Sequence, residues 1–245
     1  MKKIATAVVA LMGCLVLAPA FAPAFAQDGG TAKPLTVVEL FTSQGCSSCP
    51  PADSLLGELA ARDDVLALSE HVDYWDYIGW KDPFAIASNT GRQRDYAAKF
   101  ALRYVYTPQM VIDGTFQAVG SKRREVMAYL KKAAAEPRIG LSLRRTAEEI
   151  EVTLPAAQLS EPVRVLTVFF DKRRETSVKR GENSGRTLAH HNVVRRIQPL
   201  AEWRGEAAKF KLPIDQAVGE ACAVILQSKR SLKVLGAARL DLGSS

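Results

Sequence analysis

An apolar run that stops short of two cysteines and resumes with helical spacing leaves few choices of fold. Leu35-Thr-Val-Val-Glu-Leu-Phe41 is rich in β-branched and aromatic residues and is bounded by Gly and Ser, which predicts a buried strand. Cys46-Ser-Ser-Cys49-Pro50-Pro51 follows, and then Leu55, Leu56, Leu59 and Ala60 recur at helical spacing as far as Ala61. The two thiols therefore sit where a strand gives way to a helix. A helix N-terminus carries unpaired N–H groups and about half a positive charge, which favours thiolate over thiol. A low-pKa, nucleophilic Cys46 with Cys49 in reach is the expected result.

Val65-Leu-Ala-Leu-Ser-Glu-His-Val72 reads as a second buried strand, so the segment is a βαβ unit with parallel strands. An aromatic loop comes next, Asp73-Tyr-Trp-Asp-Tyr-Ile-Gly-Trp-Lys-Asp-Pro-Phe84, whose Gly79 and Asp82-Pro83 argue against regular structure. Ser88 to Arg103 reads as helix. Gln109 to Ile112 and Thr115 to Val119 flank Asp113-Gly114, a hairpin signal. Ser121 is placed to cap a helix running to Ala135, and Glu136-Pro137 ends it.

From Ile139 the texture changes. Runs beginning at Leu141, Ile150, Val163, Asn192, Ala208 and Ala221 alternate or stay apolar, with turn residues between them. Such short strands predict an all-β, sandwich-like unit over residues 138–245, after an α/β unit over residues 27–137. The net charge of +7 concentrates there. Residues 139–245 hold 18 Lys and Arg against 12 Asp and Glu, a balance of +6. A basic half suits an acidic partner or a membrane surface, and equally a solvated basic face. No nucleic-acid motif or aromatic-basic interleaving accompanies it, so no nucleic-acid role is expected.

Residues 1–26 read as a signal peptide. Lys2 and Lys3 precede an apolar core from Ile4 to Leu17, and Ala24-Phe25-Ala26 predicts cleavage after Ala26. Leu11-Met12-Gly13-Cys14 loosely resembles a lipoprotein box, but Met12 fits it poorly. No run is long enough for a stable membrane span. A periplasmic or secreted protein is expected, in a compartment that permits disulfides. Cleavage leaves Cys46, Cys49 and Cys222, too few for a disulfide scaffold, so the spaced pair suggests redox or metal chemistry.

The order of elements, Cys46-Ser-Ser-Cys49 after the first strand, and Thr107-Pro108 before a Gly-centred hairpin together resemble the thioredoxin fold. The resemblance implies a cis bond at Pro108, lying against the cysteine pair where substrate polypeptide binds. Val38 to Asp53, His71 to Asp76, Gly79 to Asp82 and Gly181 to Leu188 further resemble a secreted bacterial family catalogued as domain of unknown function 1223. Three features depart from the thioredoxin pattern. Gly45 stands where a Trp is usual, Pro50 and Pro51 directly follow Cys49, and the aromatic loop is long.

Thiol–disulfide oxidoreduction on a protein or small-thiol substrate is the expected activity, with Cys46 attacking and Cys49 resolving. Electrons would come from a redox partner protein, and no dissociable cofactor is needed. Thioredoxins keep a buried acid on this strand, which implies that Glu39, with a raised pKa, takes the Cys49 proton; a strand-end Glu facing water is the alternative. Thr107 and Pro108 would shape the substrate groove. Trp75 and Trp80 would add an apolar lip, or simply cover the sheet. His71 with Cys46 and Cys49 makes an alternative copper or zinc site, although a lone His is more often hydrogen-bonded structure. A static Cys46–Cys49 staple in a non-catalytic binding module is the remaining alternative. His190-His191 and Arg195-Arg196 read as surface, and Cys222 as a buried inert thiol.

Overall fold

The computed structural model describes residues 34–243. The signal-peptide reading and its cleavage site lie outside those residues. β1 (Thr36–Thr42) is buried along its whole length. α1 (Pro50–Ala60) carries the chain over to β2 (Val65–His71), which runs parallel to β1 in register from Thr36↔Val65 to Thr42↔His71. α2 (Ala87–Lys99) follows the aromatic loop. β3 (Gln109–Ile112) pairs antiparallel with β1 and turns into β4 (Phe116–Val119). α3 (Arg123–Ala134) starts two residues beyond the predicted Ser121 cap, with Lys122 at the N-cap and no capping side chain. The Thr107–Pro108 bond is cis.

The turn at Asp113-Gly114 is held from a distance. Gly114 has a φ of +59°, and a Cβ there would overlap the Leu232 backbone carbonyl. Backbone strain and overlap each carry a cost, so Gly114→Ala is expected to lower stability by about 2–4 kcal/mol in urea unfolding. A loss under about 0.5 kcal/mol, the usual size of a surface effect, would mean that the hairpin does not rest on Leu232.

A thioredoxin-like α/β domain followed by an all-β domain is not what the chain forms. β5 (Ser142–Arg145), β6 (Glu149–Leu154) and β9 (Ala208–Pro213) make only a small three-stranded sheet. β7 (Val163–Ser177), β8 (Thr187–Trp203), β10 (Ala221–Ser228) and β11 (Val234–Asp241) instead join the first four strands in one mixed sheet, ordered β11-β10-β7-β8-β2-β1-β3-β4. The junction is β2 beside β8, parallel at Ser69↔Val193. Asn192, with a φ of 48°, adds a side-chain bond there, its Nδ2 donating to the Ala67 carbonyl at 2.8 Å. The physical reason lies in β2, which is buried along its whole length. An open outer edge would leave its backbone groups unpaired, so it takes a partner from the far half of the chain.

The sheet then curls over itself. Val37, Leu66 and Leu68 on one face of β1 and β2 pack against Leu166, Val168 and Ile225 of β7 and β10. The other face carries α1 and α3 through Val38, Leu40, Leu55, Leu59, Val126 and Leu130. Outer residues of β7 and β10, with Trp203, meet the small sheet at Val152 and Leu154. Strand alternation thus sends Val38, Leu40 and Thr42 toward α1, and Val37, Glu39 and Phe41 away from it. Among the described residues no helix is long and apolar enough to cross a membrane.

Candidate functional site

The segment from Thr42 to Asp53 is a tight loop feeding a helix. Cys46 N–H donates to the Ser43 carbonyl at 3.1 Å, and Cys49 N–H to the Cys46 carbonyl at 3.2 Å. Cys46 and Cys49 form a disulfide, their Cα atoms 5.4 Å apart. Cys49 is the N-cap of α1, and Pro50 and Pro51 fill its first two positions. Helix therefore starts directly after the second cysteine, where a missing N–H breaks no helical bond. The same arrangement removes free donors. The two prolines have no N–H, and those of Ala52 and Asp53 donate to the Cys49 carbonyl at 2.8 and 3.1 Å. Gly45 packs closely, since a Cβ there would lie 3.1 Å from both Trp75 Cβ and Ile78 Cδ1.

Both sulfurs are covered. Cys46 is 1% and Cys49 0% exposed, although Ser47 and Ser48 between them are exposed. The roof is the turn joining β7 to β8. Asn183, fully buried, donates its Nδ2 to the Gln44 carbonyl at 3.0 Å and to the Cys46 carbonyl at 2.9 Å. Ser47 N–H donates to Glu182 Oε2 at 3.1 Å, and hydrogen bonding from the Ser47 side chain and then its backbone holds that carboxyl below its usual pKa. Arg186 donates to Asn183 Oδ1 at 2.9 Å and fixes the amide.

The aromatic loop braces this arrangement. Trp75 Nε1 donates to Thr107 Oγ1 at 2.8 Å, and Trp80 Nε1 to Gln44 Oε1 at 3.0 Å. Trp75 thus links the residue before the cis proline to the loop before Cys46. Pro108 accepts from Gly120 N–H at 2.9 Å, and the β1–β3 register puts it next to Gln109, the residue opposite Phe41. Tyr77 is the large aromatic that faces solvent here, 83% exposed.

His71 ends β2 fully buried, its Nδ1 2.7 Å from Asp82 Oδ2. Asp82 also accepts the N–H groups of Gln44 and Phe84, at 2.8 and 2.9 Å. Burial works to raise the Asp82 pKa, but His71 and these two N–H groups outweigh it and hold it below the ordinary value. Asp82 is therefore a carboxylate and His71 Nδ1 carries the donated proton. His190, expected at the surface, is 1% exposed, its ring centroid 4.5 Å from that of His71. His191 points the other way and fills the space over Gly57. Among the described residues no group of three or more His, Cys, Asp or Glu is arranged to hold a metal ion. Cys222 is buried, and burial pushes its thiol up to about 12.

Glu39 lies on the face of β1 away from α1. Its Oε1 accepts Arg92 Nε at 2.5 Å and its Oε2 accepts Tyr96 OH at 2.5 Å. Gln227 of β10 donates to Tyr96 OH at 2.9 Å and accepts from Arg92 at 3.0 Å. Burial works to raise the Glu39 pKa, but the Arg92 charge and bonds involving Glu70, Arg92 and Tyr96 hold it below the ordinary value. The expected raised carboxyl is instead Glu70, pushed well up by burial and by the Glu39 charge. Glu39 thus serves a buried ionic cluster that ties α2 and β10 to β1.

Asp53, Asp82, Asn183 and His190 were absent from the sequence-derived site. Asp53 lies four residues after Cys49, so helical spacing was a signal for it. Asp82 and Asn183 lie in runs that carry the family resemblance, and His190 reaches the site through tertiary structure alone.

A crystal structure of a protein from Agrobacterium tumefaciens is similar, with a TM-score of 0.74 and 31% identity, over 86% of this chain and 95% of that one. HBP35 of Porphyromonas gingivalis is similar in fold, with a TM-score of 0.52 and 14% identity, over 87% of this chain and 76% of that one. No curated protein matches the chain. A family model described as protein of unknown function (DUF1223) matches residues 37–227, and the chain belongs to that family.

Proposed function

We propose that this protein is a thiol–disulfide oxidoreductase working at Cys46 and Cys49, in an exported, periplasmic or secreted setting. The carrying observation is the Cys46–Cys49 bond at the first turn of α1 beneath a roof tied to it by Asn183 and Glu182. Lifting that roof breaks a few polar bonds and exposes Cys46. A substrate thiolate then attacks Cys46 Sγ, the Cys46–Cys49 bond breaks, and Cys49 leaves with the electron pair and takes up a proton. The second substrate thiol, losing its proton, displaces Cys46, leaving an oxidised substrate and two protein thiols. A redox partner protein reoxidises them, and the reverse sequence reduces a substrate disulfide. In this reading Thr107, Pro108, Trp75 and Trp80 line the path of a protein or small-thiol substrate. No dissociable cofactor enters the exchange.

Burial of both sulfurs favours a second reading, a fixed staple in a binding module. The redox equilibrium of the pair against glutathione, read by mass-tagging free thiols, separates the two. A reversible midpoint between roughly −120 and −270 mV is expected of an exchanging pair. A midpoint below about −300 mV, where structural disulfides lie, would make it a staple.

A further inference from the structure

We infer that Asp53 and His190, braced by His71 and Asp82, form a buried acid–base pair that protonates Cys49 when the disulfide opens and deprotonates it when the disulfide closes. The purpose of this pair rests on the exchange proposed above; its chemistry rests on the surroundings of Cys49. A thiolate released at Cys49 emerges fully buried, where burial disfavours charge. The helix end has no free donor for it, because two prolines and two occupied N–H groups make up the first turn. Glu39 faces away from α1 and is engaged by Arg92 and Tyr96.

What remains on the α1 side is a set of buried polar atoms lacking partners. Asp53 is one turn on from Cys49, on the same helix face. Its Oδ1 accepts the Thr42 hydroxyl at 2.9 Å, its Oδ2 is unpartnered, and it is 5% exposed. His190 Nδ1 approaches Asp53 Oδ1 at 3.6 Å, and neither ring nitrogen of His190 has a hydrogen-bond partner. His71, fixed through Nδ1 by Asp82, has an unpartnered Nε2, and its ring packs nearly perpendicular to that of His190. Buried unpartnered polar groups are few in folded proteins and call for a reason. A proton that moves between them supplies one.

The charged and titratable groups near the pair are His71 from β2, Asp82 from the loop after it, His191 beside His190 on β8, and Glu58 of α1 along the groove at Asp53. Phe84 closes the side, 6.1 Å from the His190 ring centroid, with the Arg195 guanidinium over the Phe84 ring at 5.9 Å. A groove between α1 and β8, lined by Pro50, Asp53, Ser54, Gly57, Glu58 and His191, gives Asp53 a route to water. In the opening direction a proton carried by one member of the pair passes to Cys49 Sγ as the sulfur leaves Cys46. In closing, the pair takes that proton back, and the resulting thiolate attacks the mixed disulfide at Cys46 and expels the substrate thiolate.

The test uses the mature chain and dithiothreitol, with the reduction rate followed by mass-tagging from pH 5 to pH 9 and divided by the thiolate concentration of the reagent. In the wild type this normalised rate is expected to fall as pH rises, because the acid form of the pair is lost. Asp53→Asn is expected to flatten the profile and slow reduction at the acid end on the order of 100-fold, the usual scale for a positioned acid. Asp53→Glu should recover part of the slope. His190→Gln should flatten it too, and serves if Asp53→Asn does not fold. Profiles of both variants that superimpose on the wild type overturn the inference, as does flattening by Glu39→Gln. The wild-type midpoint against glutathione judges the exchange reading separately, because dithiothreitol opens the bond in either case.

Discussion

Arg92→Met is expected to destabilise the fold by about 3–5 kcal/mol at neutral pH, the range for a buried pair that loses one partner. The guanidinium is 13% exposed and lies 2.5 Å from Glu39 and 3.6 Å from Glu70, both fully buried. Met keeps the apolar stem and removes the charge. In the wild type Glu39 is held below its ordinary value of 4.5, so its contribution is present above that pH and lost as pH falls through the lowered folded value. Without Arg92, burial and mutual repulsion raise both carboxyls. The folded variant then holds protons that the unfolded chain releases above about 4.5, so its deficit should widen as pH rises from 4.5 to 7. Urea unfolding of both proteins at the two ends of that window measures it. A deficit independent of pH would show that the loss is one of packing alone.

Asn183→Ala is expected to speed reduction of Cys46–Cys49 about 30-fold. The substitution deletes two bonds from Asn183 Nδ2 to the Gln44 and Cys46 carbonyls, each worth about 1 kcal/mol. It also frees Arg186. About 2 kcal/mol is about 30-fold in the population of an opened roof. Where attack on Cys46 waits for that opening, the rate rises by the same factor. Dithiothreitol reduction at fixed pH measures it, with far-UV dichroism checking that the fold persists. An unchanged rate would mean that thiols reach Cys46 with the roof closed. The sulfurs would then be less protected than their exposure suggests.

Much of the first half of the site was legible in the chain. Strand, cysteine pair and helix follow one another as the apolar pattern requires, and Thr107-Pro108 carries the cis bond that the family resemblance implies. For Glu39 the sequence left a buried acid and a strand-end Glu facing water both open, and it could not give the pairing, because the partner Arg92 comes 53 residues later. His190 illustrates the opposite failure. Alternation correctly turned it away from His191, but could not say which of the two faced inward. Asn183 sits in a run that the family resemblance singles out without a role, and it is fully buried, bonded to the Cys46 carbonyl.

Local sequence determined what depends on neighbours along the chain: the strand that stops before Cys46, the helix that starts at Pro50, the Asp-Gly hairpin, and the three-residue spacing that lets two sulfurs bond. Tertiary structure alone decided which edges meet. β2 needed a neighbour, and only the folded chain shows that β8 supplies it, merging the two halves into one sheet. That merger carries His190 beneath α1 and the β7–β8 turn over the disulfide. Strand pairing is written in backbone hydrogen bonds that every residue but proline can make, so the pattern of side chains predicts a strand far better than it predicts the strand's partner.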